Sequence, residues 1–295
     1  MNPSRRQFLK WSGAAVAGLS VTDLLAAPAS SISLQLYSVR DDMKKNPIET
    51  LKGVAKAGYK LVEHAGYTDG KFYGMSPKEF KAVLTSLGLS MPSGHTVLAP
   101  QMLIGGSFFN DQWKKTVEDA AFLGQKYVIS PWMPEDVYKT PDDLKRFMET
   151  FNKAGRLCQQ QGMKFGYHNH EFEVGKFKDG QVIFDVMLQH TDPKLVTFEM
   201  DVAWITAPGS DPVAWFKKYP GRFELLHMKD LKKDAKAHHG YVSTEIGDGI
   251  VRFADILKNR KLAGAKYLVV EQEDYGSKTP LECIGIDYQR LSKLV

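Results

Sequence analysis

The sequence predicts a single α/β domain built as a (β/α)₈ barrel, and three observations carry that prediction. Short apolar runs alternate with longer amphipathic segments eight times between Ser31 and the C-terminus. Strict alternation of this kind implies a parallel sheet. The stretch 31–295 is close to the ~250 residues of one such barrel. Polar and charged residues gather where successive apolar runs end, which is where a barrel carries its active site. An open doubly wound sheet is the rival, but no Gly-x-Gly-x-x-Gly follows the first run.

The first unit opens with the run Ile32–Tyr37 and continues into a helix over Pro47–Ala57, with Pro47 at the first helical position and Gly58 at its end. The second has the run Lys60–His64 and a helix over Ser76–Leu87, where Ser76 is the N-cap, Pro77 the first residue and Gly88 the C-cap. The third run, Leu89–His95, is interrupted by Pro92, and its helix spans Asp111–Leu123 before Gly124. Strand Tyr127–Ser130 leads to a helix over Pro141–Gln161. Strand Lys164–His168 leads to one over Gln181–Gln189, and Leu195–Asp201 to one over Asp211–Lys218. Strand Phe223–His227 precedes a helix over Arg252–Asn259. Strand Tyr267–Glu271 precedes a last helix from about Leu281.

Composition agrees with a soluble globular chain, at 43% hydrophobic and 25% charged residues. The formal charge is +5, and the first thirty residues hold Arg5, Arg6 and Lys10 against Asp23, which leaves +3 on the rest. No basic stripe interleaves with aromatics, so nucleic acid is not an expected partner. The run Lys229–Lys236 mixes both signs and reads as a solvated loop, as does the adjacent pair His238 and His239. Cys158 and Cys283 sit in helical patterns, where a buried free thiol is the more common state.

Residues 1–29 read as an export signal. Arg5 and Arg6 are followed by Phe8, Leu9 and Lys10, then an Ala/Gly-rich apolar stretch, then Ala27-Pro28-Ala29. The pattern resembles a twin-arginine translocation signal. The apolar stretch is too short and too interrupted for a stable membrane span of ~20 residues. The expected partner is therefore the twin-arginine translocation machinery, and the expected destination is the periplasm.

The strand ends are loaded with chemistry. In order they carry Gln35 and Tyr37, Glu63 and His64, His95, and Trp132. After these come His168 and His170 with Glu171 and Glu173, Glu199 and Asp201, His227 and Lys229, and Glu271. Carboxylates and imidazoles are costly to bury unless paired or bound to metal. Four adjacent strands carrying them at one level call for a cation. Mixed Asp, Glu and His donors suit Mn, Mg or Zn. Glu63 and His64 point to opposite faces of a strand, and Glu63 is expected inward. Gln35 and Tyr37 share a face. Gln35, Tyr37, Glu63, His95, Trp132 and Lys229 are candidate substrate contacts, while core packing is the competing role for Tyr37, His95 and Trp132. Gly247-Asp248-Gly249 is a turn signal first.

The segments Leu34–Asp41 (Leu-Gln-Leu-Tyr-Ser-Val-Arg-Asp), Tyr167–His170 with Glu173, Glu199–Asp201, Leu226–Asp230 and Gly247–Gly249 resemble the xylose isomerase-like TIM-barrel superfamily, in particular its exported sugar phosphate isomerase/epimerase branch. The resemblance covers nearly the whole chain after the leader. It implies a divalent metal held by one residue from each of strands five to eight. Asp201, His227 and Glu271 match three of these positions, and the resemblance makes Glu271 a catalytic base as well. The fourth departs from the pattern, because Lys164–Tyr167 holds no carboxylate. Glu173 is the expected fourth ligand, with Glu171, His168 and His170 as alternatives. His168 and His170 then become acid/base or substrate groups.

The resulting expectation is a metal-dependent isomerase or epimerase acting on a small-molecule carbohydrate, a free sugar or keto-sugar, by proton abstraction next to a carbonyl. A phosphate on that sugar is not expected, since no Gly-rich loop is present to cradle it. One alternative is a keto-sugar or keto-glycoside lyase of the inosose dehydratase type. It is favoured by the missing strand-five Glu, because a two-base epimerisation needs that group. A third reading is a barrel that binds carbohydrate without turning it over.

Overall fold

The computed structural model describes residues 31–98, 102–104 and 108–295. The export leader lies outside them. No helix among the described residues is long and apolar enough to cross a membrane.

Eight strands close into a parallel barrel: β1 (Ile32–Gln35), β2 (Leu61–His64), β3 (Ser90–His95), β4 (Tyr127–Ser130), β5 (Lys164–His168), β6 (Val196–Asp201), β7 (Leu225–Met228) and β8 (Tyr267–Val270). They pair in sequence order, and β8 closes onto β1 through Ile32↔Leu268 and Leu34↔Val270. The main helices are α1 (Pro47–Lys56), α2 (Pro77–Ser86), α3 (Asp111–Leu123), α4 (Pro141–Gln160), α5 (Ile183–Gln189), α6 (Pro212–Lys218), α7 (Phe253–Lys258) and α8 (Pro280–Ser292).

Local chemistry sets these helix starts. α1, α2, α4, α6 and α8 each begin with Pro at the first turn behind a side-chain N-cap, namely Asn46, Ser76, Thr140, Asp211 and Thr279. Proline gives up an N–H that would be unpaired there anyway, and the cap accepts from another. Ser76 with Glu79 and Thr279 with Glu282 complete reciprocal capping boxes.

Alternation along the strands sorts the core into two parts. Leu34, Val62, Val128, Phe165, Phe198, Leu226 and Val270 face the helices and join the large core between barrel and shell. Tyr127, Ile129, Leu225 and Val269, packed against Tyr267, form a small separate plug. A Cβ on Gly166 would stand 2.4 Å from Ile129 Cδ1, so glycine makes room for that plug. Deeper apolar side chains thus close the floor, and the polar strand ends are left to line the mouth.

Three details differ from the sequence expectation. Pro92 lies within β3, at the point where the register with β2 shifts between Leu61↔Ser90 and Glu63↔Ser93; a bulge tolerates a residue without an N–H. The stretch expected as a solvated loop is an antiparallel ribbon, Asp230–Lys233 against Tyr241–Thr244, and Lys229, Asp230 and Leu231 are buried. The cause is Asp230, whose carboxylate accepts from the backbone N–H groups of Leu231, Gly247, Gly249 and Val251. Short helices over Arg40–Lys45 and Val202–Thr206 add to the loops after β1 and β6. Cys158 and Cys283 are both buried and both free.

Candidate active site

The polar residues at the strand ends converge in two tiers. The lower tier centres on two fully buried carboxylates, Glu63 from β2 and Glu199 from β6. Glu63 Oε1 accepts from Gln35 Nε2 at 2.8 Å and lies 3.1 Å from His95 Nε2 and 3.0 Å from His227 Nε2. Glu199 Oε2 lies 2.7 Å from His95 Nε2, 3.3 Å from His168 Nδ1 and 3.2 Å from His227 Nε2. Burial by itself would discourage charge on His95, but the carboxylates of Glu63 and Glu199 outweigh it and lift its pKa to about 9. Burial likewise opposes charge on Glu199, yet the imidazoles of His227 and His95 draw its pKa down to about 2.

The upper tier is formed by His168, Asp201, His227 and Glu271, from β5, β6, β7 and the end of β8. All four are buried, and one nitrogen or oxygen from each lies within 4.8 Å of the others. Pairing of Asp201 with His227 across β6 and β7 puts two of them at one height. Asp201 is oriented by its backbone role. It caps the helix Val202–Thr206, and its Oδ1 accepts from Ala203 N and Trp204 N. Its Oδ2 is buried and has no hydrogen-bond partner, and burial raises its pKa to about 6. His95, His168, Glu199 and His227 form a second group of the same span and share two residues with the first.

Lys229 completes the upper tier. Its Nζ lies 2.8 Å from Glu271 Oε2, 3.5 Å from Asp201 Oδ2 and 2.5 Å from Glu273 Oε1. Burial opposes ionisation of Glu271, but Lys229 and His227 prevail and hold its pKa well below the usual carboxylate range. The donor set of imidazole nitrogens and carboxylate oxygens fits a hard to borderline divalent cation, and Asp201 Oδ2, buried without a hydrogen bond and reached only at 3.5 Å by Lys229, has a place open for one.

A cavity of about 920 Å³ opens above this tier, lined by His95, His168, His170, Trp204, Glu271 and Glu273. Tyr37 and Tyr67 also line it. Tyr37 is 43% exposed. Trp132 is 46% exposed and is not among the residues lining the cavity. Glu63 faces the barrel axis, while its neighbour His64 packs edge-on to Phe72 in the outer core. His170 stands at the cavity wall, where burial and Lys229 lower its pKa to about 4.

The structure does not bring Glu173 into the upper tier. β5 ends at His168, and Glu173 lies in the single turn Phe172–Val174 beyond it. Its carboxylate accepts from Tyr167 Oη at 2.7 Å and from His170 N at 2.9 Å. Burial raises its pKa to about 8. Trp204 and Glu273 belong to the site and are not among the candidate site residues read from sequence; Glu199 stands there at a strand end without an assigned role. A role for Glu199 could have been found, since it lies two positions before Asp201 on one strand and so shares its face.

The family model for the xylose isomerase-like TIM barrel matches residues 51–289. A twin-arginine translocation signal matches residues 2–22, so the chain carries an address for export across the membrane. Among solved structures, a sugar phosphate isomerase/epimerase from Parabacteroides distasonis ATCC 8503 is 30% identical, with a TM-score of 0.76 over 90% of this chain and 95% of that one. An inosose dehydratase from Geobacillus kaustophilus is 23% identical over 70% of this chain and 69% of its own length. Other inosose dehydratases match over shorter stretches, between 34% and 51% of their length. The IOLI protein, solved with a bound zinc atom, shares the fold at 14% identity and a TM-score of 0.66, over 90% of this chain and 98% of that one.

Proposed function

The chain belongs to the xylose isomerase-like TIM-barrel family, and from that premise we propose that it is a divalent-metal-dependent enzyme that removes a proton next to the carbonyl of a free sugar or keto-sugar. The observation that carries this reading is the convergence of His168, Asp201, His227 and Glu271, from four successive strands, beside one cavity. These four would hold the ion, and Mn, Mg and Zn all accept such donors. A bound divalent ion would polarise the substrate carbonyl and favour negative charge on its oxygen.

The chain's own residues supply the rest. Glu271 is ionised, faces the cavity and is the proton acceptor. Lys229 keeps it ionised before reaction and remains beside it as a donor. His170 is neutral, so it can orient a sugar hydroxyl without repelling the cation. Return of the proton to carbon or to the neighbouring position gives epimerisation or isomerisation. The periplasm is the compartment in which this chemistry would run.

A second reading, elimination, has its own support. Strand β5 brings imidazoles to the site and no carboxylate, and the two glutamates lining the cavity, Glu271 and Glu273, both follow β8, whereas a two-base epimerisation needs bases on opposite faces of the substrate. Loss of a hydroxyl or alkoxyl from the next carbon would then follow removal of the proton by Glu271.

Incubation of metal-loaded protein with keto-sugars in D₂O tests both. Deuterium in a product with an intact skeleton supports isomerisation or epimerisation, and loss of water or an aglycone supports elimination. Glu271→Gln is expected to abolish either. A protein that takes up no stoichiometric metal and exchanges no deuterium would be a carbohydrate-binding barrel instead.

A further inference from the structure

A second cavity, of about 480 Å³, adjoins the one that holds Glu271. The two share Trp204 and Glu273 in their walls. The far wall of the second is the ribbon Asp230–Lys233/Tyr241–Thr244, through Tyr241 and Ser243, with Asp234 and Lys236 at its tip.

This cavity is held in shape from both flanks. Ser243 Oγ accepts from Glu273 N at 3.2 Å, and Asp274 Oδ2 accepts from Ser243 N at 3.1 Å. Tyr241 Oη donates to Ala207 O at 3.0 Å, which ties the ribbon to the segment after β6. Trp204 is itself braced, with Lys229 Nζ 5.4 Å from its ring centroid.

We propose that the second cavity is a subsite for a neutral sugar ring linked to the reacting one, so that the substrate is a disaccharide or a sugar glycoside. The inference rests on reading the cavity at Glu271 as the seat of the reacting sugar. The lining supports it chemically. Trp204 and Tyr241 offer flat apolar faces of the kind on which the C–H side of a pyranose packs. Asp234, Asp274 and Lys236 offer acceptors and a donor for its hydroxyls. The lining holds charged groups of both signs, and Lys229 and Glu273 among them pair with each other, so a polyhydroxylated neutral ligand finds both donors and acceptors there. The position of the shared wall matters most. Trp204 and Glu273 line both cavities, and Lys229, which pairs with Glu271 and Glu273, lines the second, so a substituent at that edge of the reacting ring points toward the second cavity.

The test is calorimetric and needs no turnover. Affinities of the metal-loaded protein are measured for a panel of neutral hexosyl-hexoses differing in linkage, and for the corresponding monosaccharides. At least one disaccharide is expected to bind about tenfold more tightly than its monosaccharide. That ratio is expected to fall toward one in Tyr241→Ala or in Asp234→Ala, the latter at the ribbon tip where the fold is little disturbed. Absence of such a preference across the panel, or a preference unchanged in both variants, overturns the subsite. A protein that prefers disaccharides in this way but exchanges no deuterium in D₂O would lose the reaction proposed above and keep the subsite.

Discussion

Lys229 Nζ stands 2.8 Å from Glu271 Oε2, and both groups are buried at the mouth of the barrel. The same ammonium reaches Asp201 and Glu273, so one lysine faces three carboxylates. Removing it leaves at least two buried negative charges without their nearest cation. Breaking a buried ion pair from one side costs about 3–5 kcal/mol. Lys229→Met is therefore expected to lower the unfolding free energy by roughly that amount when metal is chelated, and by less when a divalent ion is supplied. Urea titrations with EDTA and with Mn²⁺ would show it; equal losses in the two conditions would mean that the ion and the lysine do not serve the same carboxylates.

Asp230 gathers four backbone N–H groups, three of them from residues 247–251. Gly249 lies so close that a Cβ would stand 2.3 Å from Asp230 Oδ1 and 2.4 Å from Leu231 O. Both atoms are fixed by the ribbon, so neither can yield cheaply. Gly249→Ala is expected to cost about 1–3 kcal/mol through overpacking, and Asp230→Ala more, since it leaves several buried donors unpaired. Thermal melts followed by circular dichroism would measure both. An Asp230→Ala variant as stable as the parent would show that water replaces the carboxylate.

Asp287, on α8, is buried with its Oδ1 accepting from Ile246 N and its Oδ2 unpartnered. Burial, with Glu245 and Asp230 nearby, raises its pKa to about 7. A carboxyl whose folded pKa exceeds its unfolded value contributes most at low pH, and the contribution is lost as pH rises toward that folded pKa. Asp287→Asn keeps the acceptor for Ile246 and removes the charge. It is expected to match the parent near pH 4 and to exceed it by on the order of 2 kcal/mol at pH 8. Parallel unfolding curves between pH 4 and 8 check the sign, and a variant less stable than the parent at pH 8 would reverse the assignment.

The parts of the fold that sequence announces are those whose causes are local. Ser76 followed by Pro77 and Glu79 declares the start of α2 within four residues, because a cap needs nothing beyond its own turn. Asp201, His227 and Glu271 stand at strand ends that alternation makes visible. The ribbon after β7 is invisible for the opposite reason. Its burial depends on Asp230 meeting donors 17 to 21 residues away, and nothing in Lys229–Lys236 itself shows that. Strand β5 is the intermediate case. His168, His170 and Glu173 crowd into six residues, and which of them faces the axis depends on where the strand stops.

The structure stops β5 at His168, and this supplies the most direct test of the metal site. His168 joins Asp201, His227 and Glu271 within a 4.8 Å span. Glu173 is committed to Tyr167 Oη and His170 N, and its raised pKa of about 8 leaves it largely uncharged at neutral pH. A protonated, internally bonded carboxyl is a poor ligand. His168→Ala is therefore expected to weaken Mn²⁺ binding by a hundredfold or more, judged against the 10–100-fold typical of residues that only support a ligand. Glu173→Gln keeps the acceptor for His170 N and can donate from its amide to Tyr167 Oη instead of accepting from it, and is expected to shift Mn²⁺ affinity by less than about tenfold. The electron paramagnetic resonance signal of free Mn²⁺, followed during titration, reads both constants directly. The reverse order of effects would move the fourth ligand from the end of β5 to the turn beyond it, and would return a carboxylate to the position from which a two-base epimerisation becomes possible.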